Sequence, residues 1–241
     1  MTLQVPYLAD EAIERDAEAL LAQFAHAKGM VIRPPIPIED IIEKDQKLHI
    51  EFDDLHRRFG VARGGSGAEV DIFGAIFLET GKIVIDESLD PEERPSIEGR
   101  YRFTLAHEGG HWRLHRRLVQ ANSGQGSRQP TVVCRSSRAK ERVELQANLY
   151  ASCLVMPRKL VRQAWCQFEN DYPRVLRRQD RIVVPGDTED EMTLIRVFDR
   201  MRDDEAARRL AWQFFVSPIA MRIRLERLGL LYREGRPALF F

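Results

Sequence analysis

The chain has 241 residues and a formal net charge of zero at pH 7, with 44% hydrophobic and 31% charged residues. This balance is typical of a folded globular protein and excludes a collagen-like or wholly disordered chain. Three cysteines with no C-x-x-C spacing argue against a disulfide framework or an all-cysteine zinc site. No signal-peptide pattern is present and no apolar run approaches the ~20 residues of a membrane helix, so we expect a cytoplasmic, soluble protein.

The charge is distributed unevenly along the chain. Residues 1–99 carry a net charge of −11, residues 100–143 a net charge of +8, residues 144–157 a net charge of −1, and residues 158–241 a net charge of +4. This asymmetry allows two interpretations. The basic part forms a surface for nucleic acid or an acidic protein, or it packs beside the acidic part within one fold. An isoelectric point near 7.0 is not that of a dedicated DNA-binding protein.

The first half of the sequence predicts one long helix, a proline-rich extended segment and a β-hairpin. Apolar residues recur at helical spacing over 8–28, and Gly29 ends the helix. After three closely spaced prolines we expect a short helix at 38–45, a strand at KLHIEF and a loop at 64–67. The segments VDIFGAIFLE and KIVIDESL are rich in β-branched and aromatic residues. They flank a turn at Thr80-Gly81, which predicts an antiparallel hairpin.

The second half is predicted to be mostly helical. In chain order we expect a helix at 100–119, a polar loop at 122–130, a helix at 138–155, a helix at 157–170, an irregular segment at 171–188 with a short strand at RIVV, and helices over 188–229 broken near Ser217-Pro218.

A cluster of histidines lies on the predicted helix 100–119. His107 and His111 are four residues apart, so they share one helical face and can reach a single zinc ion. Glu108 points to the side of that face, where its carboxylate can hold a water beside the metal. The pattern H-E-x-x-H is the zincin arrangement. Gly109 and Gly110 weaken the helix, and a close approach of another backbone would explain them.

A catalytic zinc requires a third protein ligand. His115 lies about 12 Å along the helix axis from His107, so it is expected to support the site from outside the ligand set. Glu144 is the only charge in the apolar stretch 143–157, and a carboxylate on an inward helix face is unfavourable unless it is paired or metal-bound. Glu141, one turn earlier, is the competing ligand. His115 and Tyr150 are both candidates for stabilising the developing oxyanion.

The C-terminal segment 206–228 predicts the second half of a helix-turn-helix. Ser217 can cap a helix that directs Ala220, Ile223 and Leu228 inward. Its arginines Arg222, Arg224 and Arg227 then face outward, where they contact DNA phosphates or a docked repressor. The alternative is a packing helix with solvated arginines.

Three segments together resemble the ImmA/IrrE family of zinc metallopeptidases. They are HEGGHWRLH, ELQANLYASCLVMP and, far downstream, VSPIAMRIRLERLGLL. The resemblance implies His107, His111 and Glu144 as zinc ligands and Glu108 as the catalytic carboxylate. The sequence departs from the family pattern at Gly109, where a larger apolar residue is usual, and at Tyr150, where phenylalanine is common.

The resemblance also implies a fold and a function. The expected fold is α+β, with a mostly helical, zincin-like peptidase domain at 1–160 that contains a small antiparallel sheet. A helical, helix-turn-helix-like domain follows at 161–241. The implied function is zinc-dependent cleavage of a helix-turn-helix repressor, which induces stress-response or mobile-element genes. The alternative is a DNA- or protein-binding regulator with a structural or inactive zincin site.

Overall fold

The computed structural model describes residues 5–61, 71–122, 132–135, 141–172 and 189–231. The chain divides into two compact units, Met1–Pro157 and Arg158–Phe241. The fold is α+β, as the sequence predicts. The predicted loop at 64–67 and the predicted strand at RIVV lie outside the described residues. So does the predicted loop at 122–130, except for Asn122, which is helical.

The N-terminal unit begins with the predicted amphipathic helix, α1 (Asp10–Lys28), which buries its apolar face and ends at Gly29. Gly29 adopts the left-handed conformation, at φ 59°, that closes many helices. The extended segment leads into a single turn of helix, α2 (Ile38–Asp40), and a π-helical turn (Ile41–Asp45). Ile41 and Ile42 of this turn are fully buried.

A four-stranded sheet follows, in the order β1-β3-β2-β4. Its strands are β1 (His49–Asp53), β2 (Ile72–Phe77), β3 (Lys82–Asp86) and β4 (Val132–Arg135), and the short helix α3 (Leu55–Phe59) follows β1. Strands β2 and β3 form the predicted antiparallel hairpin. The predicted sheet is antiparallel, but the observed sheet is mixed, because β1 pairs with β3 in parallel. Strand β3 runs opposite to β2 in the hairpin and therefore in the same direction as β1.

Two long helices complete the N-terminal unit. Helix α4 (Glu98–Asn122) packs against β2 and β3 and also against α5 (Arg142–Val155), and α1 packs against α5. Helix α5 ends just before Pro157, because a residue that precedes proline disfavours helical geometry. A Cβ at Gly110 would lie 3.3 Å from the carbonyl oxygen of Ala147, so α4 and α5 approach closely at this glycine.

The second unit contains α6 (Arg158–Asp171), α7 (Glu189–Phe214) and α8 (Pro218–Arg227). The predicted break near Ser217-Pro218 is confirmed. Ser217 Oγ accepts a hydrogen bond of 3.1 Å from the Ala220 amide, and Pro218 occupies the first helical position.

The predicted orientation of α8 is correct for Leu228, which is buried, and for Arg227, which is exposed, but it is wrong for Ile223 and Arg224. Ile223 is 50% exposed, whereas Arg224 is 1% exposed and lies on the buried face with Met221 and Leu225. These buried positions follow the helical period, which the charge on Arg224 conceals in the sequence. Arg222 forms ion pairs with Asp204 and Glu226, and Arg227 is exposed. Contact of Arg227 with DNA remains a prediction, but Arg224 is not positioned for such contact.

None of the helices in the described part of the chain has both the length and the apolar character needed to cross a membrane.

Candidate metal centre

Helices α4 and α5 bring three metal-binding side chains together. His107 and His111 lie one turn apart on α4, and Glu144 lies in the first turn of α5. The two histidine Nε2 atoms are 2.9 Å apart. Glu144 Oε2 lies 3.2 Å from Nε2 of His107 and 3.6 Å from Nε2 of His111. All three side chains are buried, and their donor atoms surround one small volume.

Both histidines turn Nε2 toward this volume because their Nδ1 atoms are engaged elsewhere. His107 Nδ1 lies 3.0 Å from Asn148 Oδ1, and an amide oxygen only accepts hydrogen bonds, so Nδ1 is the donor. His111 Nδ1 lies 3.1 Å from His115 Nδ1. A neutral ring that donates from Nδ1 carries its lone pair on Nε2, which is the form that binds a metal.

Burial and the neighbouring polar groups together set the charges of the three groups. Burial lowers the pKa of His111 to about 3, so this ring is neutral at pH 7. Burial also opposes a charge on His107, but the hydrogen bond to Glu144 and the charge of Glu108 outweigh it and raise the pKa. At Glu144, burial opposes ionisation, but the adjacent His107 and His111 rings outweigh it and lower the pKa. An ionised carboxylate therefore lies beside two nitrogen donors.

These residues fit a divalent metal ion. Two imidazole nitrogens and one carboxylate oxygen form the donor set of His₂Glu catalytic sites. Two Nε2 lone pairs that point at each other across 2.9 Å repel unless a cation lies near both. A proton on His107 can supply that charge, and a metal ion supplies more of it. His107, His111 and Glu144 would hold the ion.

Glu108 lies beside this cluster and is not one of its three donors. Its side chain is fully buried, and its carboxylate lies against β2 at Gly74. A Cβ at position 74 would collide with Oε1 of Glu108 and would also lie 3.0 Å from Thr104 Cγ2. The missing side chain of Gly74 therefore makes the room that the Glu108 carboxylate occupies.

The structure distinguishes between the candidates that the sequence offers for the third metal ligand. Glu144 joins the two histidines, whereas Glu141 is the residue before α5 and lies outside the three-residue cluster. His115 also lies outside it, next to His111. Tyr150 is fully buried and packs against Gly110, and its role at an oxyanion remains a prediction.

Two polar residues of α5 take part that the sequence analysis leaves without a role. Asn148 holds His107, and Gln146 holds His115 through its Oε1 atom at 2.9 Å. Both are polar side chains in a helix that is otherwise mostly buried and apolar, which is the signal that could have identified them.

The α+β fold buries a His₂Glu donor set of the kind that catalytic zinc sites use. Residues 69–179 match the family model of the IrrE N-terminal-like domain (Peptidase_M78), and this range contains all three donors and Glu108. This segment is therefore similar to the IrrE N-terminal-like domain, which confirms the resemblance to the ImmA/IrrE family. A comparison with curated proteins finds no match to this chain.

Proposed function

We propose that the protein is a zinc-dependent endopeptidase that cleaves a helix-turn-helix transcriptional repressor and thereby induces the genes that the repressor silences. The convergence of His107, His111 and Glu144 carries the proposal, since their donor atoms lie within 4.8 Å of one another. The match to the IrrE N-terminal-like domain supports a peptidase rather than a purely structural metal site.

The chain's own residues divide the chemistry between binding and proton transfer. When bound, zinc polarises a peptide carbonyl and lowers the pKa of a coordinated water from about 15.7 to about 7. Glu108, fixed between α4 and β2, accepts the proton of the attacking water and returns it to the leaving amine. Asn148 keeps His107 in its metal-binding tautomer.

The sheet offers a place for the substrate chain. Strand β4 pairs with β2 on one side, and in the described part of the sheet no strand lies on its other side. Gly74 of β2, which pairs with Cys134 of β4, lies against the Glu108 carboxylate. An extended substrate segment that pairs with the outer side of β4 would lie two strand spacings, about 9–10 Å, from Gly74 of β2.

The proposal is tested by producing the chain together with a helix-turn-helix repressor encoded beside it. Wild type is expected to bind about one zinc per chain and to cleave the repressor. Glu108→Gln is expected to keep zinc and to lose cleavage by a factor of about 10²–10⁴. Glu144→Gln is expected to lose both. Glu141→Gln is the matched control, because it removes a neighbouring carboxylate from outside the cluster and should keep both properties.

A Glu108→Gln variant that cleaves at the wild-type rate would show that Glu108 is not the base. A Glu144→Gln variant that retains zinc and cleavage would remove the assigned ligand. Salt-sensitive DNA binding that survives complete loss of metal, without cleavage of any repressor, would favour the alternative of a regulator with an inactive site.

A further inference from the structure

A chain of hydrogen bonds leads from the candidate metal centre to the backbone of the N-terminal segment. His111 Nδ1 lies 3.1 Å from His115 Nδ1, and His115 Nε2 lies 2.9 Å from Gln146 Oε1. Gln146 Nε2 in turn donates to the carbonyl oxygen of Pro6 at 2.8 Å. His111, His115 and Gln146 are all buried, so water competes weakly for these bonds.

The carbonyl of Pro6 determines the direction of every hydrogen bond in this network. A carbonyl can only accept, so the Gln146 amide must turn its NH₂ toward Pro6 and its Oε1 toward His115. Oε1 also only accepts, so His115 carries its proton on Nε2. Nδ1 of the neutral His115 ring is then an acceptor, and His111 must donate to it from Nδ1.

The reverse direction of these hydrogen bonds would remove the lone pair with which His111 binds the metal. With the Gln146 amide flipped, Oε1 would face the Pro6 carbonyl and two acceptors would repel each other. His115 could then carry its proton on Nδ1 and donate to His111. The His111 ring would keep its proton on Nε2, where the metal lone pair is needed.

We propose that Gln146 and His115 are positioning residues that hold His111 in the tautomer whose Nε2 lone pair faces the metal, and that the Pro6 carbonyl is the fixed end of this chain. The N-terminal segment is held on α5 by a second bond, from Arg142 Nη1 to the Val5 carbonyl at 3.3 Å. The proposal rests on the metal-binding part of the proposed function and not on peptidase activity.

The test compares Gln146→Met with Gln146→Glu in the full chain. Methionine has a similar length but cannot accept the His115 proton. A carboxylate accepts this proton in either orientation, and it loses only the bond to the Pro6 carbonyl. Zinc affinity, measured by competition with a chromophoric chelator, is expected to fall by about 10- to 100-fold in Gln146→Met. Gln146→Glu is expected to stay within a few-fold of wild type. A residue needed only for packing would show the opposite order.

The histidine tautomers supply a readout that packing would not change. Long-range ¹H–¹⁵N spectra of the metal-free wild type are expected to show His111 protonated on Nδ1 and His115 on Nε2. In Gln146→Met the His115 assignment should be lost or mixed. A wild-type His111 with its proton on Nε2 would contradict the proposal.

A second pair of variants tests the same proposal if Gln146→Met does not fold. His115→Asn places an amide oxygen where Nδ1 accepts, and should retain more zinc affinity than His115→Leu. Arg117→Gln, at an exposed position of the same helix, is the control and should match wild type. If wild type binds zinc and all the variants bind it equally well, the positioning proposal fails alone. If wild type binds none, the proposed function fails.

Discussion

At the scale of single residues, the geometry of the site depends on the position of the Glu108 carboxylate. The side chain is fully buried between α4 and β2, in the room left by Gly74. A catalytic base must lie within hydrogen-bonding reach of the proton it takes, so a displacement of about 1 Å is costly. If Glu108 is the base that we propose, Gly74 affects the chemistry without carrying a functional group.

Gly74→Ala is expected to lower peptidase activity on the order of 100-fold while zinc stoichiometry stays at the wild-type value. The added Cβ meets the far end of the Glu108 side chain, which must move, whereas the three donor residues are not touched. Cleavage rate and bound zinc are the two measurements.

The neighbouring position provides the control for this substitution. Ala75→Gly changes the same buried strand and should lower stability while leaving the activity of the folded protein intact. A Gly74→Ala protein with full activity would show that the carboxylate does not need the space at position 74.

At the scale of elements, the distance between α4 and α5 decides whether three donors can meet. A Cβ at Gly110 would lie 3.1 Å from Tyr150 Cβ and 3.3 Å from the Ala147 carbonyl. Both contacts belong to the backbone or to its first side-chain atom, so neither can swing away. At Gly109, by contrast, a Cβ would collide with the terminal methyl group of Ile42.

We expect Gly110→Ala to destabilise the fold by about 1–3 kcal/mol through overpacking and to weaken zinc binding by separating the helices. Gly109→Ala should cost less, because alanine gains about 0.8–1.0 kcal/mol of helix propensity and the Ile42 methyl group can rotate aside. Urea unfolding of the two metal-free variants measures the difference. Equal destabilisation would mean that α4 and α5 can move apart freely.

The elements that the sequence predicts correctly are those whose pattern is local. The period of the buried residues identifies α1, and the turn at Gly81 identifies the hairpin. The spacing of His107 and His111 places both on one face of α4, and the isolated charge of Glu144 in an apolar stretch points inward. Each of these signals lies within one or two helical turns or one strand pair.

The features that the sequence does not predict depend on distant partners. The parallel pairing of β1 with β3 depends on where β1 lies relative to the hairpin. The inward position of Arg224 contradicts the usual exposure of arginine. The bond from Gln146 to Pro6 joins residues 140 positions apart, so no local pattern could show it.

At the scale of the whole molecule, the metal-free protein should lose stability in acid. Burial lowers the pKa of His111 to about 3 from its ordinary 6.5. As the pH falls below 6.5, His111 therefore binds a proton in the unfolded chain but not in the folded chain. This difference in proton binding favours unfolding. Glu144 acts in the same direction below its ordinary 4.5, because its pKa is lowered too.

His107 acts in the opposite direction, since its raised pKa stabilises the fold while the ring is protonated and this gain is lost as the pH rises. We therefore expect the unfolding free energy of the chelator-treated protein to decline between pH 6.5 and pH 4. The decline should be shallower in His111→Asn, which has no ring to protonate. An identical slope in both proteins would remove His111 as its source.

The most direct test of the account is an anomalous-diffraction map, at the zinc absorption edge, from crystals of the full chain grown with zinc. The account predicts one strong peak about 2.0–2.2 Å from His107 Nε2, His111 Nε2 and a Glu144 carboxylate oxygen. Glu108 should lie near the peak without contacting it. No peak at this position, or a peak bound by Glu141 or His115 in place of Glu144, would contradict the account.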